Sequence, residues 1–403
     1  MKKAILLILV GTVLLLTNSC STDSNNDPNN VNADCPSEIF EGDLVFETQE
    51  EVNSFNSNCY SEINGALILN GSINNISSLQ NITTINGRLA IYYTTLNNLT
   101  GLQNVSSVET IEIENNLNLQ DLSALANITS VKNINIVDNN SITNLVGLNN
   151  INSVEEDVSI RGNEQLRNLT GLTSLTRIGK DLDLSRCYLE NLEGLENLES
   201  IGEIFKIFEN SLLTNLNGLE NLISAGSLFF FSNDGNSSAL ENIDGLENLN
   251  TTSSIDITQN FVLESIYGLR NVNSNLFSLK IRNNFTLNNL NGLENITNIE
   301  NKLEIHQNYE ITDIDGLQNI NHVGNNIIIT GNSIMTNLNA LSNIPYVNGT
   351  VRVGGNESLI NLCGILQLVI NIYDDYNGQY ILLESNGFNP LNNTDFANGN
   401  CSL

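Results

Sequence analysis

The sequence predicts an all-β chain: a right-handed, parallel β-helix-like solenoid of about thirteen turns, with a cap at each end. Three observations predict it. First, a loose unit I-G-x-x-L-x-I-x-x-N-x-x-L-x-x-L-x-G-L-x-N-L-x-S recurs thirteen times. Its copies start at Ile63, Ile85, Val108, Val131, Val154, Ile178, Ile201, Ala225, Thr252, Asn275, Ile299, Val323 and Val347, 22 to 24 residues apart with one gap of 27. A fixed period in this range signals stacked units, each covering the apolar face of the next. Second, Leu182/Leu184, Leu279/Ile281, Leu303/Ile305 and Val351/Val353 alternate with polar residues, the period of a half-buried strand. Third, asparagine recurs at two fixed places in the unit. Stacked amides can satisfy the backbone groups that a corner leaves unpaired.

In chain order, residues 1–19 read as a lipoprotein signal peptide. Lys2 and Lys3 precede an apolar run, Ala4 to Leu16, that is too short to span a bilayer. Leu16-Thr17-Asn18-Ser19-Cys20 resembles a bacterial lipobox, so Cys20 is the expected lipidated N-terminus. Residues 20–34 form a polar tether, with a reach of roughly 20 Å on a random-coil estimate.

Residues 35–62 read as an N-terminal cap. Leu44 and Phe46 suggest a short strand, and Thr48-Gln49-Glu50-Glu51 is a capping-box pattern ahead of Val52 and Phe55. Cys35 and Cys59 bracket this segment; Cys363 and Cys401 stand near the other end. For an exported chain the expected disulfides are Cys35–Cys59 and Cys363–Cys401.

The solenoid is expected over residues 63–370 and a C-terminal cap over 371–403. In its strands Leu182/Leu184-type pairs point inward. Asparagine stands three residues after the pair from Asn116 to Asn356; Ser72, Thr94 and Cys187 break the column. A second asparagine column runs from Asn81 to Asn343, broken by Ser174. The L-x-x-L-x-G-L stretch is too short and too asparagine-rich for an α-helix in every unit. Its glycine marks a corner that needs positive φ or close approach.

The pattern L-x-I-x-x-N-x-x-L-x-x-L-x-G-L-x-x-L, over about residues 60–370, resembles the receptor L-domain branch of the leucine-rich-repeat proteins. Its members include bacterial surface lipoproteins of the repeat type. The resemblance implies recognition rather than catalysis, and it supplies no functional residues to carry over.

The chain has 45 acidic and 15 basic residues, for a net charge of −30. That excludes nucleic acid and anionic membrane surfaces as expected partners. His306 and His322 belong to no metal-spaced cluster, so no metal or cofactor is expected. There is no G-x-S-x-G, P-loop or H-E-x-x-H. Carboxylate pairs such as Asp181/Asp183 and Asp313/Asp315 read as solvated faces. Glu196, Glu220, Glu247 and Glu294 fall at one outward position, a row either merely solvated or weakly cation-binding.

Three features could bind a partner. Phe208, Phe229 and Phe231 should point outward on adjacent turns, and exposed aromatics on a flat sheet mark contacts. The eighth turn is longer by four residues within 234–239, placing Asp234 and Asn236 on a loop beside them. Phe261, Phe285 and Tyr309 follow column asparagines on three consecutive turns and read as packing. The functional expectation is a non-catalytic, lipid-anchored surface protein of the bacterial outer membrane. It would be a monomer that binds a protein or glycan by its outward face. A polysaccharide-active β-helix enzyme and a purely structural surface component are the rivals.

Overall fold

The structure, a computed structural model, describes residues 38–55, 60–231, 239–374, 381–389, 396 and 398–403. All belong to one compact unit, Ser37–Leu403. The signal peptide, Cys20, the tether, the Cys35–Cys59 pair, Asp234 and Asn236 lie outside the described residues.

The repeat coils as its period requires. Each unit contributes a strand that pairs in parallel with the strand one repeat before and one repeat after. The buried residue that opens each pair keeps register from rung to rung: Val158 meets Leu182, Leu182 meets Phe205, Phe205 meets Leu228 and Leu228 meets Ile255. The same line runs on through Leu279, Leu303, Ile327 and Val351. Both residues of each pair are closed off, as at Leu303 and Ile305 with 0% exposure, while Glu304 between them faces out. A one-residue slip would expose every such pair, so burial itself fixes the register. A second, shorter parallel ladder forms at the start of the units, as between Ile63 and Ile85 and between Val131 and Val154.

Among the described residues, the remaining third of each turn before the last carries no α-helix. Several units make a single 3-10 turn there, such as Asp244–Leu246, Asp315–Leu317 and Asn339–Leu341. The leucines on either side step into the core; Leu287, Leu290 and Leu293 are all 0% exposed.

The glycine corner needs close approach everywhere and positive φ only in some turns. A Cβ on Gly171 (φ +120) would sit 2.1 Å from the Leu145 carbonyl carbon. Gly364 has no positive φ, yet its Cβ would lie 1.7 Å from Leu338 O. A second left-handed corner carries glycine in only some turns, at Gly162, Gly331 and Gly355. The residue just before the column asparagine has φ near +55 even where it carries a side chain, as at Arg186 (54), Glu209 (53), Asn283 (56) and Gln307 (53).

Both ends are built as the sequence suggests locally. Leu44–Phe46 pairs with Leu67–Leu69. Helix Gln49–Ser54 begins at Thr48 with a complete capping box to Glu51 and buries Val52. Phe46, Phe55, Phe40 and Tyr60 pack edge-on or stacked beneath it. At the far end helix Leu366–Asp374 follows the last 3-10 turn. The ladder then continues: Ile381–Glu384 pairs with Val351–Gly354. Cys363 and Cys401 form a disulfide, closing a separation of 38 residues.

Candidate binding face

The asparagine columns are explained by the backbone. Asn284 is fully buried. Its Nδ2 donates to Ile257 O one turn back at 3.0 Å, and its Oδ1 accepts the Asn260 N–H at 3.0 Å. Asn308, Asn332 and Asn356 repeat this, and Asn386 extends the ladder one step further. Cys187 takes the place of one asparagine. It is 1% exposed, its thiol is held up to about 11 by burial, and it is a packing residue rather than a nucleophile.

The second column is exposed but works similarly. Asn197 Nδ2 donates to Thr173 O at 2.8 Å, and Asn221 Nδ2 to Glu196 O at 2.7 Å. A third column, not singled out in the sequence, stands at the x before the second leucine of L-x-x-L. Asn191 Oδ1 accepts the Glu193 N–H and Asp313 Oδ1 the Asp315 N–H, both at 3.1 Å. Its signal was present, a near-unbroken run of Asn or Asp that makes the Asx-turns of that corner.

The acidic row is likewise a backbone device. Glu196, Glu220 and Glu294 each accept the N–H of the corner glycine two residues earlier, at 2.8 to 3.0 Å. Glu247 pairs instead with Arg270 at 2.5 Å. These bonds account for the row without a cation. Among the described residues no cluster of three His, Cys, Asp or Glu could hold a metal ion. The Asp181/Asp183 pair is also engaged, Asp181 with the Ile204 N–H and Asp183 with Lys206.

The outward face of the main sheet carries the aromatic residues that the sequence places there. Phe205 and Ile207 point in, so Lys206 and Phe208 point out; Leu228 and Phe230 point in, so Phe229 and Phe231 point out. All three outward phenylalanines are half-buried. Phe208 lies in register with Phe231, and Lys206 with Phe229. The rings of Phe229 and Phe231 stack at 6.0 Å, and Lys206 Nζ sits 5.4 Å from the centre of Phe208. Next comes Asp256, only 3% exposed, in register with Phe229. Arg282 reaches both of its carboxylate oxygens at 3.0 and 3.1 Å, Thr258 donates to it at 2.6 Å and Lys280 lies 3.4 Å away. Further on, His306 Nδ1 is 2.7 Å from Thr330 Oγ1. This network fixes the ground beside the aromatic rungs. The corner stack of Phe261, Phe285 and Tyr309, with centroids 4.7 and 4.8 Å apart, turns ring faces to each other and leaves mainly edges outside, which fits packing.

One polar group elsewhere on the face was also missed. The Tyr92 hydroxyl donates to Glu112, which pairs with Arg88 at 3.2 Å. Burial first, and Glu112 second, push the Tyr92 hydroxyl and the neighbouring Glu114 carboxyl above their ordinary values. The residues are legible in the sequence; their meeting depends on pairing across rungs.

No protein-family model matches this chain, and no curated protein matches it. Among solved structures it is similar to the crystal structure of a TLR13–ssRNA13 complex, at 10% identity, covering 88% of this chain and 74% of that one, with a TM-score of 0.24. So loose a superposition bears on neither ligand nor mechanism. The chain's standing as a leucine-rich, repeat-built β-solenoid rests on its own strand register and core.

Proposed function

We propose that this chain is a non-catalytic recognition protein that binds a protein or glycan ligand on the outward face of its solenoid. The observation that carries the reading is the aromatic patch Phe208, Phe229 and Phe231. It is half-open on a rigid parallel sheet, and an ordered ionic network borders it. The asparagine columns and most of the glutamate row already have backbone partners, and Glu247 pairs with Arg270, whereas the rings on this face are half-open. In the proposed setting the signal is removed, Cys20 carries lipid, and the tether displays a monomeric solenoid at a bacterial outer membrane. Several acyl chains, at about 0.8 kcal/mol per buried methylene, hold such an anchor stably.

The test is a glycan and protein array probed with the full chain and with Phe229→Ala and Phe231→Ala. Ligands that bind wild type and fail with folded Phe231→Ala support the face; hits that ignore both variants reject it. For the anchor, metabolic fatty-acid labelling should vanish in Cys20→Ser, and equal labelling rejects it. The rival reading, a polysaccharide-active enzyme, is favoured by one observation, the Arg88–Tyr92–Glu112–Glu114 group. Turnover of a polysaccharide by wild type and its loss in Glu112→Gln would favour that rival.

A further inference from the structure

The charge of the sheet face reverses along the rod. Consider the three outward positions before, between and after each buried pair. On the earlier strands, up to Leu182–Ser185, acids such as Glu112, Glu114, Asp157, Asp181 and Asp183 outnumber Arg88 and Arg161. From Ser200–Phe208 to Val351–Gly354 the balance inverts. Lys206, Lys280, Arg282, Lys302 and Arg352 stand against Asp256 and Glu304, with Asp183 on the preceding rung paired to Lys206 at 3.0 Å and Glu384 on the following rung paired to Arg352 at 2.9 Å. Glu203 and Glu300 lie further back on their strands, beyond the register shift that sets off each buried pair. In a chain of net charge −30 this places five of the 15 basic residues on one face of these seven rungs. The same rungs carry the three phenylalanines, and Ser254, Thr258 and Thr330 supply hydroxyls between the charges.

The cations are positioned rather than loose. Arg282 is tied to Asp256 and Thr258, and Lys302 meets Glu304 at 2.8 Å without hydrogen-bond geometry, leaving Glu304 Oε2 without a hydrogen-bond partner. Their side chains remain open, at 29% for Lys280 and Arg282 and 27% for Lys302. Fixed, partly desolvated cations beside aromatic faces suit a ligand with rings and carboxylates together.

We propose that this half of the face, from Lys206 to Arg352, binds an anionic polysaccharide, a glycan bearing uronate carboxylates. The inference rests on the binding reading above and names its ligand class. A sugar ring is about as long as one rung is wide, about 4.8 Å, so a repeating acidic glycan meets a charge or a hydroxyl at successive steps. The phenylalanines take the apolar faces of sugar rings at one end. An acidic protein patch would match the charges but gains nothing from the rung-by-rung repeat. A polynucleotide would continue past the cations onto the acidic half of the face, against the net field of the chain.

The experiment is calorimetric titration of the full chain with polygalacturonate, its fully methyl-esterified form, polyglutamate and an oligothymidylate. Variants are Lys302→Gln, Phe231→Ala and, as a control on another side of the turn, Arg167→Gln, each first checked for an unchanged melting temperature. Polygalacturonate should bind best. Lys302→Gln should weaken it about fivefold, Phe231→Ala at least as much, and Arg167→Gln not at all. Raising sodium chloride should weaken wild-type binding about tenfold, which tests the charge requirement without any variant. No binding of polygalacturonate overturns the inference, as does equal or tighter binding of polyglutamate or oligothymidylate. Equal binding of the methyl ester, still lost in Phe231→Ala, overturns the acidic ligand but leaves the binding face standing. Binding that ignores both Lys302→Gln and Phe231→Ala overturns both.

Discussion

At the scale of the residue, the interior asparagine is the unit of stability. Asn284 joins three successive turns through its own N–H and both ends of its amide. Replacing it with leucine strands Ile257 O and the Asn260 N–H, and each unpaired buried group costs about 1–3 kcal/mol. Asn284→Leu should therefore lower the melting temperature well below that of Gln165→Leu, at an exposed site with no hydrogen bond; equal shifts would reject the ladder. Asn140 would be a poor control, because its Oδ1 is buried without a partner. Cys187 gives a pH test. Its folded thiol holds its proton up to about 11, above the ordinary thiol value of 9.0. The folded state thus binds that proton more tightly than the unfolded one. The stability it contributes is complete below pH 9, on the order of 2 kcal/mol, and is lost as pH rises toward 11. Cys187→Asn should restore the amide ladder and lose less stability over that alkaline window in a denaturant titration than wild type does.

At the scale of the element, the corner decides more than the strand. The strands are held by many equivalent apolar contacts, so one conservative change costs little. The glycine corner has no slack. A Cβ on Gly171 would collide with the Leu145 carbonyl on the turn below, and the residue would also hold a positive φ. Gly171→Ala should destabilise by more than about 3 kcal/mol, the sum of strain and overpacking. Gly399→Ala shares the positive φ but meets nothing within 4 Å, so it should cost only about 1 kcal/mol. Chemical denaturation of the two variants separates the clash from the backbone term. The other left-handed corner is glycine at Gly162, Gly331 and Gly355 but tolerates a side chain at Arg186 or Gln307, where the adjoining ladder hydrogen bonds offset the cost of φ near +54.

At the scale of the whole molecule, each turn touches only its neighbours, so stability is a sum along the rod and the ends are its weak points. The N-terminal end is covered by the capped helix Gln49–Ser54. The C-terminal end relies on the Cys363–Cys401 bridge, which ties the last strand-bearing segment back onto the solenoid. Reduction should cost about 3–4 kcal/mol. The loss should be local. Hydrogen exchange should speed up first across Ile381–Glu384 and Val351–Gly354 and leave Leu182–Ser185 protected. Uniform acceleration along the rod would show that the turns unfold as one cooperative body instead.

The amino-acid sequence by itself determined the repeat, the strand with its inward pairs, the main asparagine columns, the capping box at Thr48 and the outward placement of Phe208, Phe229 and Phe231. Each of these is written in residues a few positions apart and confirmed by repetition, so local patterning is enough. Tertiary structure alone decided what lies beside what across the rungs. Glu220 reads as a like-charge neighbour of Glu196 until its carboxylate is seen on the Gly218 N–H. Lys280 and Arg282 lie one repeat beyond Asp256, which gathers them beside Phe229 only through the strand pairing. Tyr92 and Glu112 belong to different repeats and meet only through the pairing of Ala90 with Glu112. The reason is physical. Neighbours on a solenoid face are separated by a whole turn of chain, so small differences in turn length and register, rather than local sequence, set which side chains share a site.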